Sequence, residues 1–194
     1  MIIRMAKESD LSQVLDIYGY YVQNTTYSFE YTVPTIEEFT RRFYRLTAQF
    51  PWLVCEEEGG VLGYAYGSAP FERAAYQWCA ELSVYVRPDA QGKGIGRKLY
   101  EIAEQILAKQ GYRRIYAIIT GENTGSKAFH RKMGYETAAV FPDCGIKFGR
   151  SLGVIWMEKP LNTVEIPTNP PIPWDHVVNF DRNWDEVLAK LSLS

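Results

Sequence analysis

The stretch Gln91-Gly92-Lys93-Gly94-Ile95-Gly96-Arg97 lies between a strand-like run and a helix-like run and offers the clearest chemistry in the chain. Where a helix begins, backbone N–H groups point outward and the helix dipole adds partial positive charge, while glycines let the backbone approach a diphosphate closely. Lys93, Arg97 and Lys98 add full charges, so the spacing predicts an anion site. It is not a Walker A loop, and Arg97 stands where the dinucleotide fingerprint G-x-G-x-x-G needs its third glycine. A second basic segment follows, in which His130 lies seven residues after Asn123 and therefore on the same helical face two turns on.

These groups need elements to position them. Residues 80–87 read as a strand feeding the glycine loop, and a helix over about residues 97–110 follows, stopped by Gly111. Residues 113–120 form the next strand, and a helix over residues 124–132 ends at Gly134. Upstream, residues 1–5 read as a strand. Ser9-Asp10 caps a helix with Leu11, Val14, Leu15, Tyr18 and Val22 at helical spacing, and residues 24–32 form an aromatic-rich loop. Thr35-Ile36-Glu37-Glu38 fits a capping box for a helix with Phe39, Phe43 and Leu46 on one stripe. Residues 52–57 and 61–68, joined across Gly59-Gly60, predict a hairpin, and shorter strands are expected over 135–140 and 154–158. This order implies an α/β (α+β) domain with a mixed sheet flanked by helices.

The 194 residues carry a formal net charge of −2, which argues against a general nucleic-acid binder. That total hides a segregation. Residues 1–86 hold 6 basic against 11 acidic side chains, residues 87–150 hold 12 against 6, and residues 151–194 hold 3 against 6. The basic block coincides with the glycine loop and the segment that follows it. Cys55, Cys79 and Cys144 are odd in number, lack C-x-x-C spacing and read as reduced core thiols; two histidines are too few for a structural zinc site, and no metal is expected. No signal peptide and no apolar run of about 18 residues is visible, so a cytoplasmic location without membrane contact is expected.

Both motifs together, Q-x-x-G-x-G and then N-x-x-[SA]-x-x-x-[YH]-x-x-x-G-[FY] over residues 123–135, resemble the GNAT family of acetyl-CoA-dependent N-acetyltransferases. Within it the chain is most similar to the phosphinothricin and methionine sulfoximine acetyltransferases. That likeness is carried by Asn24-Thr25-Thr26, Phe29, Phe71, Arg73-Ala74-Ala75-Tyr76, Glu81-Leu82-Ser83-Val84-Tyr85-Val86, Phe129-His130 and Gly145-Ile146-Lys147-Phe148-Gly149-Arg150. It departs from the group where Glu72 precedes a single arginine and where Ser151-Leu152-Gly153 replaces the usual W-x-D.

The resemblance implies a GNAT fold with a mostly antiparallel sheet and acetyl-CoA as cosubstrate. The backbone of Val84, Tyr85 and Val86 would pair with the pantetheine arm. Gln91, Gly92, Lys93, Gly94, Ile95, Gly96 and Arg97 would hold the diphosphate, with Asn123 and Lys132 contributing from the next helix. Glu81 is a candidate base for the amine, although a carboxylate there also suits ammonium binding or a plain surface charge. His130 would act as acid or hydrogen-bond donor at the sulfur; its bland alternative is a core or capping imidazole. Arg73 is a candidate clamp for a carboxylate, against an exposed loop charge, with Phe29, Ala74, Ala75, Tyr76, Leu82 and Ser83 around the acceptor. The expected reaction is direct acetylation of the α-amine of a small amino acid or analogue in a ternary complex. The rivals are a peptide or protein N-acetyltransferase and a non-catalytic CoA-binding module. The group resemblance also implies a homodimer.

The resemblance covers residues 1–161. Residues 162–194 contain Pro167, Pro170, Pro171 and Pro173 and read as an extended segment, either a strap packed on its own domain or a partner-binding or pocket-covering tail, followed by a short helix carrying Trp184, Val187, Leu188 and Leu191.

Overall fold

The computed structural model describes residues 1–161 and 166–180. The strands are β1 (Ile2–Met5), β2 (Trp52–Glu57), β3 (Gly60–Ser68), β4 (Cys79–Val86), β5 (Arg114–Thr120), β6 (Glu136–Lys147) and β7 (Arg150–Pro160). The helices are α1 (Leu11–Asn24), α2 (Ile36–Thr47), α3 (Ile95–Gln110), α4 (Thr124–Lys132) and α5 (Trp174–Phe180). The strands form one sheet in the order β1-β2-β3-β4-β5-β7-β6. Each neighbouring pair is antiparallel except β4 and β5, which run parallel.

Alternation along the strands divides the core between the two faces. On one face Leu53, Ala65, Ala80, Leu82, Ile115, Ala117 and Ile119 pack with Leu99, Ile102, Ala103 and Ile106 of α3. On the other, Trp52, Val54 and Tyr64 pack with Val14, Ile17, Tyr18 and Val22 of α1 and Phe39 and Phe43 of α2. The apolar stripe of α2 and its N-cap are as expected: the Thr35 side chain accepts from the Glu38 N–H. At the start of α1, Asp10 is buried and bonded to Arg4 instead of capping the helix with its side chain.

Three expectations need correction. The hairpin β6–β7 is much longer than residues 135–140 and 154–158, because Phe148 and Gly149 both take positive φ (51° and 69°) and turn the chain tightly. Pro142 and Gly145 disguise β6; it is an edge strand, and its register shifts between Phe141 and Gly145. The glycine loop gives way to helix two residues early, at Ile95, with Gly94 as N-cap. Of the cysteines, Cys55 is buried, Cys79 is half-buried and Cys144 is exposed at the β6 irregularity, so the last is no core thiol.

The described part of the tail packs on the domain as a strap. Gln110 Nε2 donates to the carbonyls of Gln49 (2.8 Å) and Ile172 (2.7 Å), Trp174 Nε1 donates to the Thr47 carbonyl (2.7 Å), and Val177 is buried. The expected helix around Trp184 lies outside the described residues.

Candidate active site

Strands β4 and β5 pair only at Cys79–Arg114, Ala80–Ile115 and Glu81–Tyr116. Beyond that point β5 stays paired only with β7 and β4 only with β3, so residues 82–86 have no strand partner on the β5 side. The opening is a cleft of ≈ 530 Å³ bounded by β4, the glycine loop, the start of α3, the end of β5 and one side of α4 from its N-cap to His130. Strand residues present N–H and C=O to one edge and alternate between edges. The Leu82 carbonyl accepts from Tyr100 Oη (2.6 Å) and the Val86 carbonyl from Tyr21 Oη, which places Leu82 and Val86 on the cleft edge. By alternation Val84 presents its N–H and C=O there too.

At the mouth, Gly92 and Gly94 take φ of 79° and 78°, values that favour glycine, and a Cβ on either would meet nothing within 4 Å. Both therefore serve backbone conformation and leave a surface with no side chain over it. Gln91 Nε2 donates to Tyr21 Oη (2.9 Å), tying the loop to the α1 tyrosine that also holds Val86. Arg97 pairs with Glu101 one turn on (2.7 Å) and lines the cleft. On the far wall Asn123 accepts from the Ser126 N–H (3.0 Å), capping α4 and aiming its first turn at the same space. A diphosphate fits this surface: a helix N-terminus, bare glycine backbone and the Arg97 side chain converge on it.

Of the expected cofactor-side residues, Val84, Tyr85, Val86, Gln91, Gly92, Gly94, Ile95, Gly96, Arg97 and Asn123 line the cleft. Lys93 and Lys132 do not. Both are exposed, and Lys132 sits at the C-terminal end of α4, away from the capped turn that faces the cleft. Tyr21, Tyr27 and Tyr100 line the cleft without having been singled out by sequence, and Ser126 and Phe129, marked there only as carriers of the family likeness, line it too. For Tyr100 the signal was its position one and a half turns into a helix whose N-terminus carries the glycine motif. For Tyr21 and Tyr27 only the tertiary fold supplies it.

His130 is a cleft-lining residue and a buried one at once, with 3% of its surface exposed. Its Nδ1 lies 2.8 Å from the Ser126 carbonyl and its Nε2 lies 2.8 Å from Tyr100 Oη. Burial lowers its pKa to about 4, partly opposed by the Ser126 hydrogen bond, so the ring is neutral at physiological pH.

Glu81 stands where β4 and β5 part, on the sheet face opposite α3. It is not among the residues that line the cleft itself. Burial pushes its carboxyl up to about 7, while a hydrogen bond with Ser68, its register partner on β3, pulls the other way. Desolvation thus gives a carboxylate the affinity for protons that an imidazole ordinarily has.

The expected acceptor residues are more scattered. Leu82 and Ser83 line the cleft; Arg73, Ala74, Ala75 and Tyr76 form an exposed 3₁₀ turn outside it. Phe71 anchors that turn by stacking on Tyr76, Tyr116 and Trp156, with ring centroids 4.7, 5.9 and 5.5 Å away. Phe29 lies over Gly145 of β6 so closely that a Cβ there would come within 2.2 Å of its ring. Three further bonds tie the end of α1 and the loop after it down: Thr26 Oγ1 donates to Glu122 (2.6 Å), and the buried Lys147 ammonium donates to the Val22 (2.7 Å) and Ser28 (2.6 Å) carbonyls. Among the described residues no group of three or more His, Cys, Asp or Glu side chains could hold a metal ion.

A parallel strand pair that splays over a glycine-led helix, with a proton-binding carboxylate at the splay, can hold a phosphate-bearing ligand beside a base. The family profile described as an acetyltransferase (GNAT) domain matches residues 3–156, and the chain belongs to the GNAT family. It is 37% identical over 164 residues to a phosphinothricin N-acetyltransferase of Alcaligenes faecalis, covering 82% of each chain. It is 33% identical to an L-methionine sulfoximine/L-methionine sulfone acetyltransferase of Salmonella typhimurium, over 86% of this chain and 98% of that one. A phosphinothricin acetyltransferase from Sinorhizobium meliloti, solved in complex with AcCoA, superposes with a TM-score of 0.84 at 36% identity, over 88% of this chain and 95% of that one.

Proposed function

We propose that the protein transfers acetyl from acetyl-CoA to the α-amine of a small amino acid or analogue of the phosphinothricin, methionine sulfoximine or methionine sulfone type, by direct attack. The observation that carries this reading is the splay itself: unpaired β4 backbone faces the glycine loop, and Glu81 sits at its root. The names of the similar proteins support the acceptor class.

Acetyl-CoA supplies an activated acetyl group as a thioester. Residues 91–97 and the capped start of α4 hold its diphosphate, and the cleft edge of β4 orients its extended arm. Positioning both partners in one cleft contributes roughly 7–11 kcal/mol, so each side chain has a modest task. The Val84 N–H meets the oxygen where negative charge develops, worth about 3 kcal/mol. Glu81, ionised above about pH 7, takes the proton from the amine. His130 governs the proton on the opposite side of the reaction. Arg73, exposed and without an ion pair among the described residues, clamps the acceptor carboxylate beside the aromatic group built on Phe71.

Residues 1–161 form the catalytic domain in this reading, acting in the cytoplasm. Val140, Phe141, Ile146 and Phe148 are exposed along the β6–β7 hairpin and supply an apolar face for a homodimer, which light scattering tests. Among the described residues no helix is long and apolar enough to cross a membrane.

The test is thiol release over free amino acids, methionine sulfone, methionine sulfoximine and phosphinothricin, with short peptides as comparison. Turnover confined to free amino acids or their analogues is expected. CoA binding with no release on any amine, or release on peptides alone, contradicts the proposal.

A further inference from the structure

His130 and Tyr100 form one continuous hydrogen-bonded chain. It runs from the Ser126 carbonyl to His130 Nδ1 (2.8 Å), from His130 Nε2 to Tyr100 Oη (2.8 Å), and from Tyr100 Oη to the Leu82 carbonyl (2.6 Å). Both ends are carbonyl oxygens, which only accept. Three contacts therefore need three hydrogens, and a neutral imidazole with a phenol supplies two. Nδ1 faces two Ser126 oxygens, the carbonyl at 2.8 Å and the rotatable hydroxyl at 3.2 Å, and the nearer one, which can only accept, fixes one on Nδ1. The Tyr100 hydrogen must then choose between His130 Nε2 and the Leu82 carbonyl on the cleft edge of β4. One more proton on the imidazole satisfies all three contacts at once.

We propose that Tyr100 is a positioning residue for the transfer: it holds His130 in the Nδ1–H form and makes room for one additional proton shared by the two side chains. Resting on the acetyl-transfer reading, this gives the transfer its second proton site, on the α3 side of β4 and therefore on the other face from Glu81. As the amide bond forms and the carbon–sulfur bond breaks, the amine loses one proton and the sulfur gains one. Holding a proton between His130 and Tyr100 changes no overall balance. Tyr100 and His130 both line the cleft, so the site is in reach of the reaction while closed to bulk water.

The groups around the pair come from five elements and the turn after α4. Phe129 and Tyr135 pack edge-on against the ring, at 5.0 and 5.1 Å. Glu104 of α3 accepts from Tyr135 Oη (3.0 Å) and from Lys159 Nζ of β7 (2.6 Å), which offsets its charge. Burial above all, and then Glu104, Glu81 of β4 and Tyr66 of β3, oppose ionisation of Tyr100. No cation is bonded to the imidazole among these contacts, so Tyr100 is the partner that decides where its proton sits.

Nitrogen and ring-proton NMR of the protein without substrates reads this directly, because the chain has two histidines and exposed His176 is an internal reference. At neutral pH wild-type His130 should be the Nδ1–H tautomer with Nε2 accepting. Tyr100→Phe removes the acceptor for an imidazolium Nε2–H, so the His130 titration should move to still lower pH while His176 stays in place. In turnover, Tyr100→Phe should lower kcat at least tenfold with the acetyl-CoA KM within about twofold, and the loss should be largely absent in a His130→Ala background. An Nε2–H tautomer in the wild type overturns the proposal even if Tyr100→Phe fails to fold. So do an unmoved His130 titration and a kcat loss that adds in full to His130→Ala. Absence of turnover on every amine would sink the proposed function while leaving the tautomer and titration tests standing.

Discussion

On the α3 side of the cleft the groups offered to a ligand are mostly main chain: the cleft edge of β4 and the start of α3 behind Gly92 and Gly94. On the opposite face they are side chains from separate segments: Glu81 on β4, Phe71 and Arg73 in a loop, Phe29 after α1 and Trp156 on β7. The first arrangement binds whatever carries phosphates and an extended arm, whatever is attached to it. The second can change its acceptor by replacing one residue at a time without touching the donor half. A common cosubstrate and a variable acceptor are what such a division allows.

The largest effect should come from Glu81→Gln, which keeps shape and hydrogen bonding but cannot take a proton. A positioned base contributes about 10²–10⁴-fold, and kcat should fall within that range. Next, Gly94→Ala forces an L side chain to φ 78°, at a cost of about 1–2 kcal/mol. Acetyl-CoA binding measured by calorimetry should weaken roughly tenfold per ~1.4 kcal/mol of that strain, with the acceptor KM unchanged. Arg73→Ala should raise the acceptor KM about tenfold, a charged hydrogen bond being worth about 1.5–3 kcal/mol, and leave acetyl-CoA binding alone. A result in which Arg73→Ala and Gly94→Ala affect the same substrate would break the division between the two halves. The smallest effect on turnover should come from Trp174→Ala in the strap: a Tm lowered by roughly 4–8 °C, at ~2–4 °C per kcal/mol for a chain of this size, with kcat intact.

The two halves also differed in how far they could be read from sequence. The donor half is written in local signals, since a left-handed turn demands glycine and a helix N-terminus demands a cap such as Asn123. Lys93 and Lys132, expected there as well, are exposed and do not line the cleft, Lys132 lying at the C-terminal end of α4. His130 was found by spacing, but its partner Tyr100, thirty residues earlier, shares no local pattern with it. On the acceptor side, Lys147 and Gly145 belong to a strand that Pro142 and a register shift concealed, so the hold they exert on the loop after α1 is a product of tertiary pairing. The upward shift of Glu81 likewise comes from burial, which no residue type announces.

The pH dependence of kcat/KM with a free amino acid as acceptor tests the central claim most directly. Glu81 is the working base only when ionised, and its carboxyl is held up to about 7, so activity should rise with pH through about 7. That limb should vanish in Glu81→Gln, while acetyl-CoA binding stays flat across the same range in both proteins. An identical limb in Glu81→Gln, or a profile flat through pH 7 in the wild type, would contradict the account.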